Sequence, residues 1–235
     1  MKEKNKMTNS VPKHVAFIMD GNRRWARQNL LSLLLGHEKG AKQIEPLIEH
    51  AVSKGVQYLT FWAFSQENWN RSQEEVKTLM EVFRKMLQSL LFQRLKKKGI
   101  QIQCIGDLTT FPPDIQKGVQ ALITDTKHND QIVVTFALNY GGRAEILRAI
   151  NALITEHHEG IIDEKIFSSY LYSKNQPDPD LIIRTGGEQR LSGYLPWQSV
   201  YSELYFTKTY WPDFDKKAFN AALEDFSNRQ RRFGK

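Results

Sequence analysis

The chain has 235 residues, of which 40% are hydrophobic, so it can form one α/β domain with a sizeable core and is not a disordered chain. Its net charge of +7 suits a nucleic acid, an anionic membrane surface or a polyphosphate ligand, and equally suits solvated basic runs such as residues 96–98. Because the sequence contains neither an aromatic RNA-binding strand motif nor zinc-finger spacing, no nucleic-acid partner is predicted.

Cysteine content and hydropathy set the expected cellular location. Cys104 is the only cysteine, which excludes an internal disulfide and a cysteine-based metal site and fits a reducing compartment. It lies in an alternating apolar run and is predicted to be a core residue. The polar residues 1–9 contain no hydrophobic signal core, and residues 30–35, an unusual apolar cluster, are far shorter than the ~20 residues of a spanning helix. We expect a cytoplasmic protein, with peripheral membrane contact as an open alternative.

Strand-like and helix-like runs alternate along the chain. The predicted strands are residues 15–19, 56–64, 100–105, 131–138, 180–184 and 204–206. The predicted helices are residues 38–53, 72–95, 114–126, 144–157, 163–173 and 215–231. Strands separated by helices pair in parallel through right-handed crossovers. The sequence therefore predicts a flexible tail over residues 1–12 and a single doubly wound α/β domain over residues 13–235, with a mostly parallel six-stranded sheet flanked by helices.

Two of the predicted helices have features of their own. Pro46 interrupts the helix 38–53 or starts its second half, so a kink is expected there. The helix 72–95 begins with a capping box of Ser72 and Glu75 and is strongly apolar. Core packing explains that apolar character on spacing alone, whereas its methionines also allow it to form the wall of a hydrophobic channel or a partner surface.

Polar clusters follow each of the first five predicted strands. They comprise residues 20–25, 65–71, 106–107, 139–143 and 184–192. Because the carboxyl ends of parallel strands share one edge of a sheet, these clusters should converge. The arginines in them suit phosphate oxygens, and Asp20 with a few glutamates suits Mg²⁺. The sequence therefore predicts a site for a ligand with more than one phosphate group.

Simpler interpretations stay open for several of these residues. Residues 139–142 also fit a turn followed by a helix start, and His37 fits a helix start. Trp25 and Trp69 also fit packing residues that hold loops. The absence of a Walker A motif, of Gly-x-Gly-x-x-Gly after the first strand and of Asp-Asp-x-x-Asp removes support for an ATPase, a dinucleotide dehydrogenase and an all-helical prenyl synthase.

Several long sequence blocks carry a resemblance to a known family. They are His-Val-Ala-Phe-Ile-Met-Asp-Gly-Asn (14–22), Gly-His (36–37), Phe-Ser-Gln-Glu-Asn-Trp-Asn-Arg (64–71), Asn-Tyr-Gly-Gly-Arg (139–143), Arg-Thr-Gly-Gly-Glu (184–188) and Ser-Glu-Leu-Tyr-Phe (202–206). In this order the blocks closely resemble the cis-prenyltransferases, the undecaprenyl diphosphate synthase family, over residues 14–234. The resemblance implies a homodimeric, Mg²⁺-dependent transferase that adds isopentenyl diphosphate repeatedly, with cis double bonds, to an allylic diphosphate such as farnesyl diphosphate. The implied product is a long polyprenyl diphosphate, for example a cell-wall carrier-lipid precursor.

The resemblance also implies roles for individual residues. Asp20 would bind Mg²⁺ and assist departure of the diphosphate, Glu203 would complete the metal site in its own or the partner subunit, and Asn68 is the candidate proton acceptor. The residues that would cradle the allylic diphosphate are Gly21, Asn22, Arg23, Arg24 and His37. Those on a mobile segment near the reacting carbons are Ser65, Glu67, Asn68, Trp69 and Arg71. Arg184, Arg190 and Ser192 would hold the isopentenyl diphosphate. Trp25, Gln66 and Leu191 complete the substrate-binding set.

Three positions depart from the family pattern. Leu33 stands where the family usually carries arginine, Arg23 where many bacterial members have glycine, and Gln189 where histidine is frequent. Leu33 removes a phosphate ligand unless Arg23 or Arg27 replaces it. It therefore keeps a second hypothesis open, a non-catalytic accessory subunit of a cis-prenyltransferase complex.

A hydrocarbon product requires an apolar tunnel, and the resemblance implies one in this chain. The helix 72–95 and the strand 132–138 are its expected walls, with Phe136 as a plug.

Overall fold

The computed structural model describes residues 11–229, so most of the predicted tail and the last two residues of the predicted helix 215–231 lie outside the described residues. Its strands are β1 (His14–Ile18), β2 (Tyr58–Ser65), β3 (Ile100–Ile105), β4 (Ile132–Tyr140), β5 (Leu181–Arg184) and β6 (Glu203–Phe206). They form one sheet in the order β3-β4-β2-β1-β5-β6, and each neighbouring pair is parallel. The predicted α/β fold with a six-stranded sheet is confirmed.

Helices cover the sheet on both faces. They are α1 (Asn22–Gln28), α2 (Leu33–Lys42), α3 (Ile44–Lys54), α4 (Gln73–Gln88), α5 (Leu90–Lys97), α6 (Pro113–Thr126), α7 (Gly142–Thr155), α8 (Glu164–Ser169) and α9 (Lys216–Ser227). The central strand β1 is buried along its whole length. Its alternating side chains divide the core, because Phe17 packs in the larger cluster and Ile18 in a smaller cluster on the opposite face. None of the helices in the described part of the chain has the length and apolar composition that a membrane crossing requires.

Two predicted helices are each divided into two. The predicted helix 38–53 is interrupted at Gln43. Pro46 is the third residue of α3, in the first turn, where a backbone N–H has no partner within the helix, so proline breaks no hydrogen bond there. The prediction of a single helix over 72–95 is wrong, because Ser89 adopts an extended backbone between α4 and α5. The Ser89 hydroxyl donates to the carbonyl of Met86 at 2.7 Å and accepts from the amide of Leu91 at 3.3 Å. One serine therefore serves both helix ends, which is a local alternative to a continuous helix.

The polar cluster after β1 forms a tight corner that starts a helix. Gly21 precedes α1 with a φ of 110°, in the left-handed region. A β-carbon at this position would lie 2.6 Å from Cδ1 of Tyr210, so both the conformation and the space require glycine. This tight corner brings Asn22 to Arg27 back over the end of β1, which places their side chains at the site.

Candidate active site

Asp20 lies where two groups of arginines meet, directly after β1. Its Oδ2 accepts a hydrogen bond from Nη2 of Arg184 at 3.0 Å, and its Oδ1 lies 3.2 Å from Nη2 of Arg24. Arg184 ends β5, the neighbour of β1 in the sheet, whereas Arg24 comes from α1. The convergence of the first and fifth predicted clusters is therefore confirmed for these residues.

Arg184 is buried and held by its own loop. Its Nη1 donates to the hydroxyl of Ser192 at 2.9 Å and to the main-chain carbonyl of Arg190. Arg190 turns its own guanidinium outward to Glu188, at 2.5 Å, and Leu191 packs on the smaller core cluster. The structure thus joins Arg184 and Ser192 at Asp20, whereas the side chains of Arg190 and Leu191 are in neither of the two polar pocket linings described below.

A cationic pocket of about 300 Å³ opens next to Asp20. Its lining consists of Met19, Asp20, Gly21, Asn22, Arg23, Arg24, Arg27, His37 and Arg71. Four guanidinium groups and a single carboxylate make the pocket strongly attractive to a polyanion. This lining contains all five residues that the resemblance assigns to the cradle of the allylic diphosphate, namely Gly21, Asn22, Arg23, Arg24 and His37. It also contains Arg27, the residue named with Arg23 as a replacement for the arginine absent at Leu33.

Glu75, near the start of α4, organises this pocket and was absent from the predicted set. The side chain is buried, with Oε1 2.7 Å from Nη1 of Arg71 and Oε2 3.5 Å from Nη1 of Arg23. One carboxylate therefore ties the segment after β2 to α1. Its position four residues after Arg71 on the capping box was the available signal in the sequence.

His37 is a neutral imidazole at the inner end of the cationic pocket. Burial lowers its pKa from 6.5 to about 4, and the positive charges of Arg71 and Arg23 act in the same direction. Its Nε2 is buried without a hydrogen-bond partner among the described residues, as is Oδ1 of Asn22. At neutral pH the ring is able to donate one hydrogen bond to an anionic ligand.

A second polar pocket, of about 320 Å³, also has Asp20 in its lining. Its lining consists of Ile18, Met19, Asp20, Trp62, Ser65, Glu67, Asn68, Arg71, Arg184 and Ser192. The two pockets share Met19, Asp20 and Arg71, so ligands in them would lie side by side. Asn68 is fixed within this lining, because its Oδ1 accepts the Ser65 amide at 3.1 Å.

Other predicted site residues lie outside both linings. Trp69 donates from Nε1 to Oδ1 of Asn139 at 2.9 Å and packs edge-to-face on Phe64, as the packing interpretation expected. Trp25 donates from Nε1 to Asp213 at 2.8 Å. Gln66 covers Gly141, where a β-carbon would lie 2.8 Å from its Oε1. These three residues therefore support the walls around the pockets.

An apolar cavity of about 100 Å³ lies beside the cationic pocket, within the body of the domain. Met19, Asn22 and His37 line both spaces. The remaining lining is Gly40, Ala41, Ile44, Ala63, Leu79, Val82, Phe83, Met86, Leu87, Phe92, Ile102, Gln103, Cys104, Ile115, Val119, Leu122, Phe136, Leu138 and Trp211. Burial raises the pKa of the Cys104 thiol to about 12, so this residue is an uncharged part of the wall, as expected of a core residue.

The structure does not bring Glu203 to Asp20 within one chain. Glu203 begins β6 in register with Leu181, whereas Phe206 is level with Arg184, so Glu203 lies about 10 Å back along the strand direction. Its carboxylate is paired with Arg229 at 3.0 Å. No group of three or more His, Cys, Asp or Glu side chains in residues 11–229 is arranged to hold a metal ion. Asp20 alone still suits Mg²⁺, which is commonly bound by one or two carboxylates together with substrate phosphates and water.

Sequence comparison places similar proteins across the whole chain. A family model described as "Putative undecaprenyl diphosphate synthase" matches residues 18–234. An isoprenyl transferase from Fusobacterium nucleatum subsp. nucleatum is 47% identical, over 97% of this chain and 98% of the relative. An isoprenyl transferase from Clostridium perfringens is 44% identical, over 95% of this chain and 90% of the relative.

Solved structures are similar over the same extent. The lavandulyl diphosphate synthase of Lavandula x intermedia, in complex with dimethylallyl diphosphate, superposes with a TM-score of 0.91 at 34% identity, covering 96% of this chain and 99% of that chain. A probable undecaprenyl diphosphate synthase from Campylobacter jejuni superposes with a TM-score of 0.82 at 31% identity, covering 96% of this chain and 100% of that chain.

Proposed function

Because the chain belongs to the undecaprenyl diphosphate synthase family, we propose that it condenses isopentenyl diphosphate with an allylic diphosphate, with farnesyl diphosphate as primer and new double bonds in the cis configuration. The observation that carries this proposal is a cationic pocket that shares Met19, Asn22 and His37 with an adjoining apolar cavity. This arrangement matches an amphiphile with a diphosphate head and a hydrocarbon tail. The product is a long polyprenyl diphosphate, and a cell-wall carrier lipid is its proposed use.

The two polar pockets accommodate the two substrates. The allylic diphosphate occupies the pocket of Arg23, Arg24 and His37, with its tail in the apolar cavity, and the isopentenyl diphosphate occupies the pocket of Arg184 and Ser192. The binding of dimethylallyl diphosphate by the similar lavender synthase supports an allylic ligand in this fold. Because the pockets share Asp20, the allylic carbon and the isopentenyl double bond meet beside it.

The proposed reaction breaks one carbon–oxygen bond and forms one carbon–carbon bond. The allylic C1–O bond breaks and its electron pair leaves with the diphosphate, whose developing charge the arginines stabilise. The double bond of isopentenyl diphosphate then bonds to C1, and loss of a proton from that unit forms the new double bond. Asn68 is positioned in the isopentenyl pocket to accept this proton. A neutral amide does not retain it, so the proton passes on to the departed diphosphate.

Asp20 is the residue that would hold Mg²⁺. The ion would supply positive charge to the leaving diphosphate oxygens when it is bound. Asp20 is kept in place for this role by Arg184 and Arg24, at 3.0 and 3.2 Å.

We also propose that the protein is a cytoplasmic homodimer. Leu147, Ile150 and Ile154 on α7 and Val200 before β6 are exposed apolar side chains that a second copy would cover. Val200 is three residues before Glu203, so a dimer formed there would bring Glu203 near the interface. That placement is the proposed route by which Glu203 reaches the metal site of the partner subunit.

A direct assay tests the proposed function. The purified full chain is incubated with Mg²⁺, farnesyl diphosphate and labelled isopentenyl diphosphate, and products are separated by chain length. The expected result is a series of longer polyprenyl diphosphates whose main length reports the depth of the cavity past Phe136. No elongation with any allylic primer would show that the proposal is wrong.

Leu33 supports the accessory subunit as the second candidate function. It begins α2 and is not part of the cationic pocket lining, so the usual arginine of the family is absent there. Activity of this protein alone separates the two candidates, because an accessory subunit would elongate farnesyl diphosphate only with a partner synthase. The four arginines that the pocket retains favour the enzyme.

A further inference from the structure

The connection from α1 to α2 exposes leucine side chains that the core does not use. Leu30 is 95% exposed, Leu31 42% and Leu35 45%. These residues belong to the apolar cluster 30–35 of the sequence, which we call the leucine wedge. Single exposed leucines are ordinary on protein surfaces, but a contiguous group of them marks a contact site.

The leucine wedge begins with Leu30 in a backbone conformation that is unfavourable for leucine. The amide of Leu30 donates to the carbonyl of Arg27 at 3.2 Å and that of Leu31 to the carbonyl of Ala26 at 2.8 Å, which together form a Schellman helix end. This motif gives Leu30 a left-handed φ of 55°, a conformation in which glycine is usual. The chain therefore places a leucine where glycine would fold more readily, and leaves its side chain in water. A cost of this kind points to a function for the side chain.

Positive charge adjoins the leucine wedge. Leu35, Lys39 and Lys42 are exposed, and their spacing along α2 places them on one helix face. The nearest acidic residue on α2, Glu38, is paired with Nζ of Lys85 at 2.6 Å. An apolar tip bordered by lysines is complementary to the surface of an anionic bilayer, where leucines enter the acyl boundary and lysines meet phosphates.

We propose that the leucine wedge inserts into the surface of an anionic lipid bilayer, with Lys39 and Lys42 on the lipid phosphates. The wedge joins α1, which carries Arg23 and Arg24, to α2, which carries His37. Docking through it therefore holds the cationic pocket close to the membrane. The benefit rests on the proposed function, because a polyprenyl diphosphate has a hydrocarbon tail that partitions into lipid.

Vesicle co-sedimentation tests the proposal without measuring activity. The full chain is mixed with vesicles of phosphatidylglycerol and phosphatidylcholine in equal parts, and with vesicles of phosphatidylcholine alone. Binding is expected only to the anionic vesicles, and it should weaken as salt is added. The variant Leu30→Asn/Leu31→Ser should partition roughly tenfold less, because a leucine is no longer buried in lipid and asparagine tolerates the left-handed turn. Lys39→Gln/Lys42→Gln should also bind less, which separates the charge contribution.

Ile161→Ser is the matched control, because Ile161 is 91% exposed in the α7–α8 connection, away from the wedge. This variant should bind vesicles as the wild type does. The proposal is overturned if the wild-type protein does not bind anionic vesicles at low salt, or if Leu30→Asn/Leu31→Ser binds them as strongly as the wild type does. The proposal is also overturned if Leu30→Asn/Leu31→Ser still binds vesicles but differs from the wild type in its mass by sedimentation velocity, because the wedge would then be a contact between copies. Vesicle binding that depends on the leucines supports the wedge even if the prenyl transfer assay in detergent shows no product, a result that would refute only the proposed function.

Discussion

Asp20 gains its importance from the residues that fix it. Arg184 is buried and restrained by Ser192, so the 3.0 Å contact to Oδ2 holds the carboxylate in one orientation between the two polar pockets. Arg24, on the adjoining α1, occupies the other oxygen at 3.2 Å. A carboxylate oriented this way suits a metal ion that is shared with the diphosphate.

Replacing Asp20 tests this role directly. The change Asp20→Asn keeps the shape of the side chain and removes its charge, and should lower kcat at least about a hundredfold, as expected for the loss of one charge-stabilising group. Steady-state rates with farnesyl and isopentenyl diphosphate provide the measurement. Asp215→Asn is the control, since Asp215 caps α9 and asparagine caps a helix equally well. Near-normal turnover by Asp20→Asn would contradict the assignment.

Arg23 is expected to replace the phosphate ligand that Leu33 lacks. Arg23 is anchored by Glu75 inside the cationic pocket, so Arg23→Ala should raise KM for the allylic diphosphate by about tenfold, as for the loss of one charge-assisted hydrogen bond. Leu33 lies one turn before His37 on α2, and Leu33→Arg in the Arg23→Ala background should lower KM again. Arg84→Ala, which removes an ion pair with Asp114 outside the pocket, should leave KM unchanged. An unchanged KM in Arg23→Ala would show that Arg27 acts instead.

At the scale of elements, local side-chain chemistry decides where helices end. Ser89 divides α4 from α5 by bonding to both helix ends, and the Schellman motif ends α1 at a leucine. The hydrophobic pattern continues across Ser89, so periodicity alone predicts one helix there. Both corners affect the site, because α1 and α2 line the cationic pocket and α4 lines the apolar cavity.

The strain at Leu30 predicts a stabilising substitution. Leu30→Gly should raise the free energy of unfolding by about 0.5–1 kcal/mol, because glycine adopts the left-handed turn without strain, although its greater freedom in the unfolded chain offsets part of the gain. Urea denaturation measures the change. Lys39→Gly is the opposing control, because glycine in the exposed interior of α2 should lower stability by about 1 kcal/mol. Destabilisation by Leu30→Gly would mean that the Leu30 side chain makes stabilising contacts.

At the scale of the whole molecule, His14 couples folding to pH. It begins β1, donates from Nδ1 to the carbonyl of Pro177 at 2.7 Å, and accepts at Nε2 from the Thr60 hydroxyl at 2.8 Å. Burial lowers its pKa from 6.5 to about 4. Between pH 6.5 and pH 4 the unfolded chain binds a proton at His14 and the folded chain does not. The stability that comes from the neutral, buried His14 is therefore fully present above pH 6.5 and is lost as the pH falls toward 4.

Acid denaturation should therefore report on His14. Between pH 7 and pH 4.5 its contribution to the loss of stability should be roughly 2–3 kcal/mol. Urea unfolding at both pH values should show that loss reduced in His14→Gln. His50→Gln changes a half-buried histidine that contacts Asn220, and should keep the wild-type pH dependence. Equal pH dependence in His14→Gln and the wild type would assign the acid sensitivity to other groups.

The sequence by itself determined the class of fold and most of the residues at the site. Buried strands such as β1 are continuous apolar runs, and polar clusters after them share one sheet edge whenever the strands are parallel. The clusters that contain Asp20, Arg24 and Arg184 could therefore be grouped from the sequence alone, whereas the individual residues of the allylic diphosphate cradle were assigned by the family resemblance.

Only the tertiary structure decided which side chains support the site and which lie elsewhere. The contact of Glu75 with Arg71, four residues earlier, is local, but its contact with Arg23 on α1 joins separate elements, and no local pattern encodes that contact. Strand register places Glu203 at the amino end of its strand, whereas Asp20 follows the carboxyl end of β1, although both belong to sequence blocks of the family. Local periodicity fixes which face of an element is apolar, whereas the depth of a cavity and the distance between two charges depend on how separate elements pack. The placement of the apolar cavity beside the cationic pocket, with Met19, Asn22 and His37 in both linings, is a property of that packing.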